Sequence, residues 1–322
     1  MKKIKIIIPY FGKFPKFFPY FLMTAKWNSK IDFLIVTDQE LSGLEAFNIN
    51  NITFQKTTLN ELKEKIQRKF DFEVSLNTAY KLCDFKPAYG YIFSDECEGY
   101  DYWGFCDTDI LLGDVYQFLE QHDFFNQNYD RYGLLGHLQI YKNSEDVNNL
   151  FKSGDGLNYR LNYKNVFTSS QNFIFDESLG IQKLFENAKM KQLQVECFDD
   201  IDISHFAFRR YGEEDPRRYY YWSDKDGLES HEVQDGVIII KKPLYVHFQK
   251  RKLICPSFDI SFSFYVVPNQ EIHGEKLSKD SVFQKTKSRF YWEYKKYSFL
   301  KRFNCEKKSI PFILHKLKMK RG

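Results

Sequence analysis

The sequence predicts an α/β layer fold, a mostly parallel central sheet flanked by helices. Three observations carry this. Apolar strand-like runs alternate with helical periodicities through the first half of the chain. One such run, "DYWGFC", ends in the carboxylates Asp107 and Asp109, as strands do where ligands gather at the carboxyl edge of an open sheet. The chain has 322 residues, 43% hydrophobic and 28% charged, which suits a globular protein of one large domain or two modest ones with a substantial core.

Taken in order, "KIKIII" reads as a buried strand ending at Pro9. A helix is expected within Phe14–Asn28, with Pro15 and Pro19 confining its regular part to the later turns. "DFLIVTD" and "NITFQK" are the next strands. "TLNELKEKIQRKF" reads as a helix capped by Thr58, with Leu59, Leu62, Ile66 and Phe70 on one face. "NTAYKLCDFKPAYGYIF" is expected to be helical, with a break or new start near Pro87. "DYWGFC" then delivers the aspartates. Further strands are expected at "YGLLGHLQIY", "LQVECF" and "GVIIIKKPLYVHFQ", and a helix over "GIQKLFENAKM". No internal repeat or low-complexity linker is visible. Strand signals yield to a charged aromatic segment near residue 270, so residues 1–270 read as the body and 271–322 as a basic, aromatic C-terminal extension.

The net charge of +4 is unevenly distributed: from Lys285 onward thirteen Lys/Arg face two acids, a balance of +11, leaving −7 on the first 284 residues. The acidic body argues against broad nucleic-acid backbone binding. The basic tail suits peripheral contact with an anionic membrane, where each basic residue contributes about 1 kcal/mol. A solvated end or a nucleic-acid patch are the alternative readings of the same segment. The 18% aromatic share serves cores as well as stacking on sugars and bases. None of the six cysteines forms a C-x-x-C pair, so reduced thiols in a cytosol are expected and zinc is not. No secretory signal is expected at "KIKIIIPYF", and no apolar run approaches the roughly 20 residues of a membrane span.

Asp107 and Asp109, at i and i+2 just past a strand, lean toward one point if the backbone leaves β geometry there. Uncompensated, each would cost several kcal/mol on burial. Oxygen donors of this kind suit Mg²⁺ or Mn²⁺, which accept phosphate oxygens in their remaining positions. A solvated acidic loop is the plain alternative.

The strand ends "PYFG" and "VTD", followed by "YKLCDFKPAYGYIF" and "YDYWGFCDTDILLGDV", resemble a bacterial GT-A glycosyltransferase, of the group found in capsule and surface-polysaccharide gene clusters. The resemblance covers residues 4 to 252 and implies the GT-A fold, a nucleotide-sugar donor, commonly a UDP-sugar, and Mn²⁺ or Mg²⁺. It implies a glycan or lipid-linked oligosaccharide acceptor at the cytoplasmic face of the cell membrane. Carried over, Asp107 and Asp109 match the metal pair, Asp109 as the direct ligand and Asp107 facing the ribose or the metal, and His247 is the third ligand. Lys250, with Arg251 and Lys252, clamps the diphosphate. Pro9, Tyr10, Phe11 and Gly12 cradle the nucleotide, Asp38 accepts from ribose or uracil, and Asp84 contacts the donor sugar. Where such families carry an arginine three residues after that aspartate, this chain has Pro87; Lys81 or Lys86 is the substitute. The Gly and Lys-Pro that follow the late histidine in some related families are absent.

An inverting transferase needs a general base near the acceptor hydroxyl. In "FIFDESLGI", Asp176 and Glu177 follow an aromatic strand and precede a helix, so they serve either as acceptor-side carboxylates or as acids offsetting the helix macrodipole. Asp199, Asp200, Asp202 and His205 share that ambiguity, and His137 reads either as structural or as a ligand contact. Two other functions compete: a sugar-nucleotide pyrophosphorylase, which calls for a glycine-rich loop where "PYFGKFPKF" stands, and a non-catalytic module binding glycan or membrane.

Overall fold

The structure is a computed structural model that describes residues 1–48, 50–154, 157–201, 208, 210, 217–234, 237–249, 253, 255, 263–267, 271–273 and 281. The chain forms two compact units. The first comprises Met1–Asp199, Asp224–Leu228 and Lys242–His247; the second comprises Asp200–Ser223, Glu229–Lys241 and the chain from Phe248 onward.

The first unit runs β1 (Ile4–Tyr10), α1 (Phe18–Trp27), β2 (Ile31–Thr37), β3 (Ile52–Lys56), α2 (Leu59–Gln67), α3 (Leu82–Phe85), α4 (Tyr89–Ile92), β4 (Tyr102–Cys106), β5 (Ile110–Leu112), α5 (Val115–Gln121), β6 (Arg131–Tyr132), β7 (Leu138–Lys142), α6 (Glu145–Asn149), α7 (Tyr163–Thr168), α8 (Ile181–Asn187) and β8 (Gln192–Leu193). Seven strands make one sheet in the order β3-β2-β1-β4-β7-β6-β8. The run from β3 to β4 is parallel, β7 is antiparallel to both β4 and β6, and β6 and β8 are parallel. The fold class is therefore mixed α/β with a mostly parallel central sheet. β1 and β2 are buried along most of their length, as strands covered on both faces must be.

Pro9 does not end β1; the strand continues to Tyr10, with Pro9 opposite Val36. β4 pairs with β1 only at Ile4–Ile6, so the ladder on that side has stopped before Pro9 is reached. α1 starts at Phe18 with Pro19 in its first turn, where no N–H is required. In α2, the Thr58 hydroxyl accepts from the Glu61 N–H (3.2 Å) and the Glu61 carboxylate accepts from the Thr58 N–H (2.7 Å), a capping box. The expected single helix around Pro87 is a chain of short pieces: 3₁₀ turns at Ala79–Lys81 and Lys86–Ala88 alternate with α3 and α4. Pro87 withholds an N–H from the middle of the segment, and the tighter turns absorb the break.

Four strand expectations need correction. "YGLLGHLQIY" is two strands, β6 and β7, because Gly133 turns the chain at φ +141° between them. Of "LQVECF" only Leu193 is strand, at the end of β8, and β9 (Asp199–Asp200) follows the stretch. The aromatic run before Asp176 is not a strand. "GVIIIKKPLYVHFQ" is cut near Pro243, and its two parts fall in different units.

The core of the first unit gathers Ile7, Leu34, Ile66, Phe85, Phe105 and Phe167 with their neighbours. Trp103 and Tyr141, directly opposite in register, stack with centroids 4.4 Å apart. Beside them Gly104 is obligatory: a Cβ there would lie 2.3 Å from the Gln139 carbonyl oxygen. Gly104→Ala is expected to cost about 1–3 kcal/mol through overpacking, measured by urea denaturation.

The second unit holds β10 (Arg217–Ser223), most of β11 (Gly227–Gln234) and β12 (Val237–Lys241); after β13 (Tyr245–His247) returns to the first unit, β14 (Ser263–Val267) and β15 (Glu271–His273) follow. These five strands form a sheet in the order β12-β11-β10-β14-β15. Arg218 and Glu232 pair inside it at 2.7 Å, and Lys241 reaches the same carboxylate. Among the described residues no helix is long and apolar enough to cross a membrane. Apart from β15 and Ser281, the extension from residue 271 lies outside the described residues, as do Lys250, Arg251, Lys252, Asp202 and His205.

Candidate functional site

β4 lies beside β1 with Tyr102–Gly104 opposite Ile4–Ile6, so Asp107 emerges at the same carboxyl edge as Pro9 and Tyr10. On its other side the ladder with β7 runs to Cys106 opposite Leu138, and the Asp107 N–H donates to the His137 carbonyl at 2.8 Å. The chain turns through Thr108 and re-enters a strand at β5, which pairs antiparallel with β13 so that Ile110 faces His247. That pairing brings a distant imidazole to the aspartates: His247 Nε2 lies 3.5 Å from Asp109 Oδ1. One ligand atom each from Asp107, Asp109 and His247 lie within 4.8 Å of one another. The carboxylates are partly open, with side chains 31% and 24% exposed, while His247 is buried. The His137 ring packs on His247 with centroids 3.6 Å apart.

Beneath this cluster lies Lys86, 8% exposed. Its ammonium donates to Asp107 Oδ1 at 2.9 Å and to the Gly136 carbonyl at 2.8 Å, and pairs with Asp176 Oδ2 at 3.0 Å. Burial by itself lowers the Lys86 pKa; Asp107 and then Asp176 outweigh it and hold Lys86 well above its ordinary value. Burial pushes the Asp176 carboxyl up despite the adjacent ammonium. Gly136 leaves room for this carboxylate, since a Cβ there would sit 2.7 Å from Asp176 Oδ2.

The segment carrying Asp176 is held from two sides. Gln139 Nε2 donates to the Asp176 carbonyl (2.8 Å) and the Leu135 carbonyl (3.1 Å). Its Oε1 accepts from Arg131 Nε (3.2 Å) and from the Tyr141 hydroxyl. On the other side Asp84 accepts the N–H groups of Phe173 and Phe175 and pairs with Lys81 at 2.7 Å; Lys81 also donates to the Gln171 carbonyl.

Of the residues singled out in the sequence, Asp107, Asp109, His247, Lys86 and Asp176 converge. Tyr10 joins them: burial first, and the Asp109 charge second, raise its phenol pKa. Gly12 and Asp38 meet each other, the Gly12 N–H donating to Asp38 Oδ1 at 2.9 Å and Gln39 Nε2 to the same oxygen at 2.7 Å. Those bonds, Gln39's first, lower the Asp38 pKa. At φ +93° Gly12 is needed for its backbone conformation, because an added Cβ would meet nothing within 4 Å. Phe11 packs against the core. Glu177 is half-buried. Asp84 is 0% exposed, with its carboxylate enclosed by protein donors. A cavity of about 410 Å³ opens at the carboxyl ends of β2 and β3, lined by Thr37, Gln39, Leu41, Ser42, Phe54 and Lys56 among others. Sequence reasoning did not find Lys86 as the shared counter-ion of Asp107 and Asp176. The available signal was three charged residues, Lys81, Asp84 and Lys86, in an otherwise apolar segment.

Residues 6–275 match a family described as "Family of unknown function (DUF6625)". No curated protein matches the chain. Among solved structures, mouse Xyloside xylosyltransferase 1 in its apo form is similar at 9% identity, over 79% of this chain and 99% of that chain, with a TM-score of 0.41. The apo-form glycosyltransferase GlyE of Streptococcus pneumoniae TIGR4 is similar at 9% identity over 62% of this chain and 46% of that chain, with a TM-score of 0.33. Core-mannan synthase A (CmsA/Ktr4) from Aspergillus fumigatus, in its Mn/GDP form, is similar at 13% identity over 42% of each chain, with a TM-score of 0.26. Likenesses this distant transfer no chemistry to this chain.

Proposed function

The chain belongs to the family of unknown function DUF6625, and we propose that it is a metal-dependent glycosyltransferase of GT-A type. It would move a sugar from a nucleotide-sugar donor, a UDP-sugar by the sequence resemblance, to a glycan or lipid-linked acceptor of a surface polysaccharide. The observation that carries the reading is the convergence of Asp107, Asp109 and His247 at the carboxyl edge of the parallel strands. Two carboxylates and an imidazole are a donor set that Mn²⁺ or Mg²⁺ accepts. Asp107 would ligate through the oxygen that Lys86 leaves free, Asp109 through either of its own, and His247 through a ring nitrogen. The ion, when bound, supplies positive charge against the departing diphosphate.

The chain's own residues do the rest. Lys86 holds Asp107 by its Oδ1 and keeps it turned toward the edge. Tyr10, Gly12 and Asp38 line the edge next to it, and the cavity at β2 and β3 lies two to three strand spacings from β4, about 10–14 Å. An extended nucleoside diphosphate spans that separation, which puts the base at the cavity and the diphosphate beside Asp107 and Asp109. Asp176 is committed to Lys86, so the half-buried Glu177 has the access required of an acceptor-side base. The +11 tail from Lys285 would hold the protein at the anionic inner face of the cell membrane, near a lipid-linked acceptor.

A thermal-shift screen of nucleotide-sugars with and without Mn²⁺ tests this. Only the cognate donor with the ion is expected to raise Tm, by several degrees at a ligand concentration of about 100 Kd. Equal melting of the protein with every donor, with and without Mn²⁺, would overturn the reading.

A further inference from the structure

Ile174 sits at φ +56°, a left-handed conformation that a β-branched side chain adopts only under constraint. Its own side chain is 59% exposed, so core packing does not hold it there. The N–H groups on either side of it do. Phe173 N–H donates to both oxygens of Asp84, at 3.1 and 3.0 Å, and Phe175 N–H donates to Asp84 Oδ1 at 3.1 Å. Asp84 is fully buried, and its charge is met by Lys81, itself 1% exposed. One residue beyond this turn, Asp176 reaches Lys86, and Lys86 reaches Asp107.

We infer that the buried Lys81–Asp84 pair is a positioning device for the cation site: it pinches the Phe173–Phe175 turn around Ile174 and thereby fixes Asp176 against Lys86 and the orientation of Asp107. The inference rests on the reading that Asp107 and Asp109 hold a cation, and it gives Asp84 a task other than touching the donor sugar. A buried ion pair is a poor source of net stability, since apolar residues of similar volume often do as well. A carboxylate aimed at two N–H groups flanking one strained residue instead supplies direction. The linkage runs through contiguous contacts: ammonium to carboxylate, carboxylate to backbone, then carboxylate to ammonium to carboxylate.

Mn²⁺ binding to the full chain, followed by electron paramagnetic resonance with UDP present, tests the inference on molecules shown to be folded by circular dichroism. Asp84→Asn is expected to weaken Mn²⁺ binding at least tenfold, and adding Ile174→Gly to it should recover most of the loss, because glycine takes φ +56° without the clamp. A purely structural Asp84 would shift Tm without that loss or that rescue. If Asp84→Asn does not fold, Ile174→Pro at the exposed position removes the same turn by fixing φ near −65°; it should show the same tenfold loss. Mn²⁺ affinity within twofold of the parent in the folded variant overturns the inference. Asp109→Ala in the parent separates the two failures. If it leaves Mn²⁺ binding intact, the cation-site reading falls and takes the inference with it; if it abolishes binding while the turn variants keep theirs, the inference alone falls.

Discussion

Asp109→Ala is expected to weaken Mn²⁺-dependent nucleotide binding by about 100-fold or more and to abolish sugar transfer, while leaving the fold intact. The first part follows from ligand count. Even an outer partner of a metal ligand is typically worth 10–100-fold in affinity, and Asp109 would be a ligand itself. The second part follows from where the side chain sits. Asp109 occupies the short turn between β4 and β5, its side chain is 24% exposed, and it contributes nothing to the apolar cluster beneath. Substitutions at such places usually stay within about 0.5 kcal/mol. The variant also removes one of two like charges held in a narrow turn, which acts in favour of the folded state without an ion. Isothermal titration with Mn²⁺ and UDP, paired with urea denaturation, checks both halves. Retained Mn²⁺ affinity, or unfolding of the variant, would each contradict the assignment.

How much of this was legible in the sequence depends on distance along the chain. β1, β2, β3, α2 and β4 were readable because their signals are local: apolar and aromatic runs for the strands, and for α2 an N-cap at Thr58 ahead of one apolar face. Two of the four strand misreadings share one cause, since Gly133 and Pro243 redirect chains whose apolar content alone looks continuous. At the site, Asp107 and Asp109 announced themselves as carboxylates closing an aromatic strand. His247 could be placed only by resemblance, because its approach depends on the pairing of β5 with β13, a contact that no local pattern encodes. Lys86 and Asp84 were readable as charged residues in an apolar segment. Both charges face the protein: Asp84 accepts from two N–H groups about 90 positions away, and Lys86 meets Asp107, the Gly136 carbonyl and Asp176.

Lys86→Met is expected to destabilise the protein by about 3–5 kcal/mol at neutral pH, toward the lower end, and to suppress nucleotide binding as well. Against a total of about 5–15 kcal/mol for a typical domain this is a large fraction. The carboxylates it leaves behind are unequal. Asp107 is 31% exposed and water screens it, so the penalty falls chiefly on Asp176, whose side chain is 5% exposed and whose only nearby ammonium is Lys86 among the described residues. That asymmetry sets the pH dependence. Burial already holds the Asp176 pKa above its ordinary value in the folded protein, so its ionised form disfavours folding above that range, and the effect is relieved as pH falls and the folded state takes up the proton first. Without Lys86 the pKa rises further, and the stability gap between variant and parent should narrow from pH 7 toward pH 5, as urea denaturation across that range would show. A gap constant with pH would mean that Asp176 does not carry the penalty. The pair Lys86→Met with Asp176→Leu then divides structure from function. It leaves no unpaired buried carboxylate, so stability should return to within about 1 kcal/mol of the parent. Nucleotide binding should stay lost, because Asp107 still has nothing to turn it toward the sheet edge.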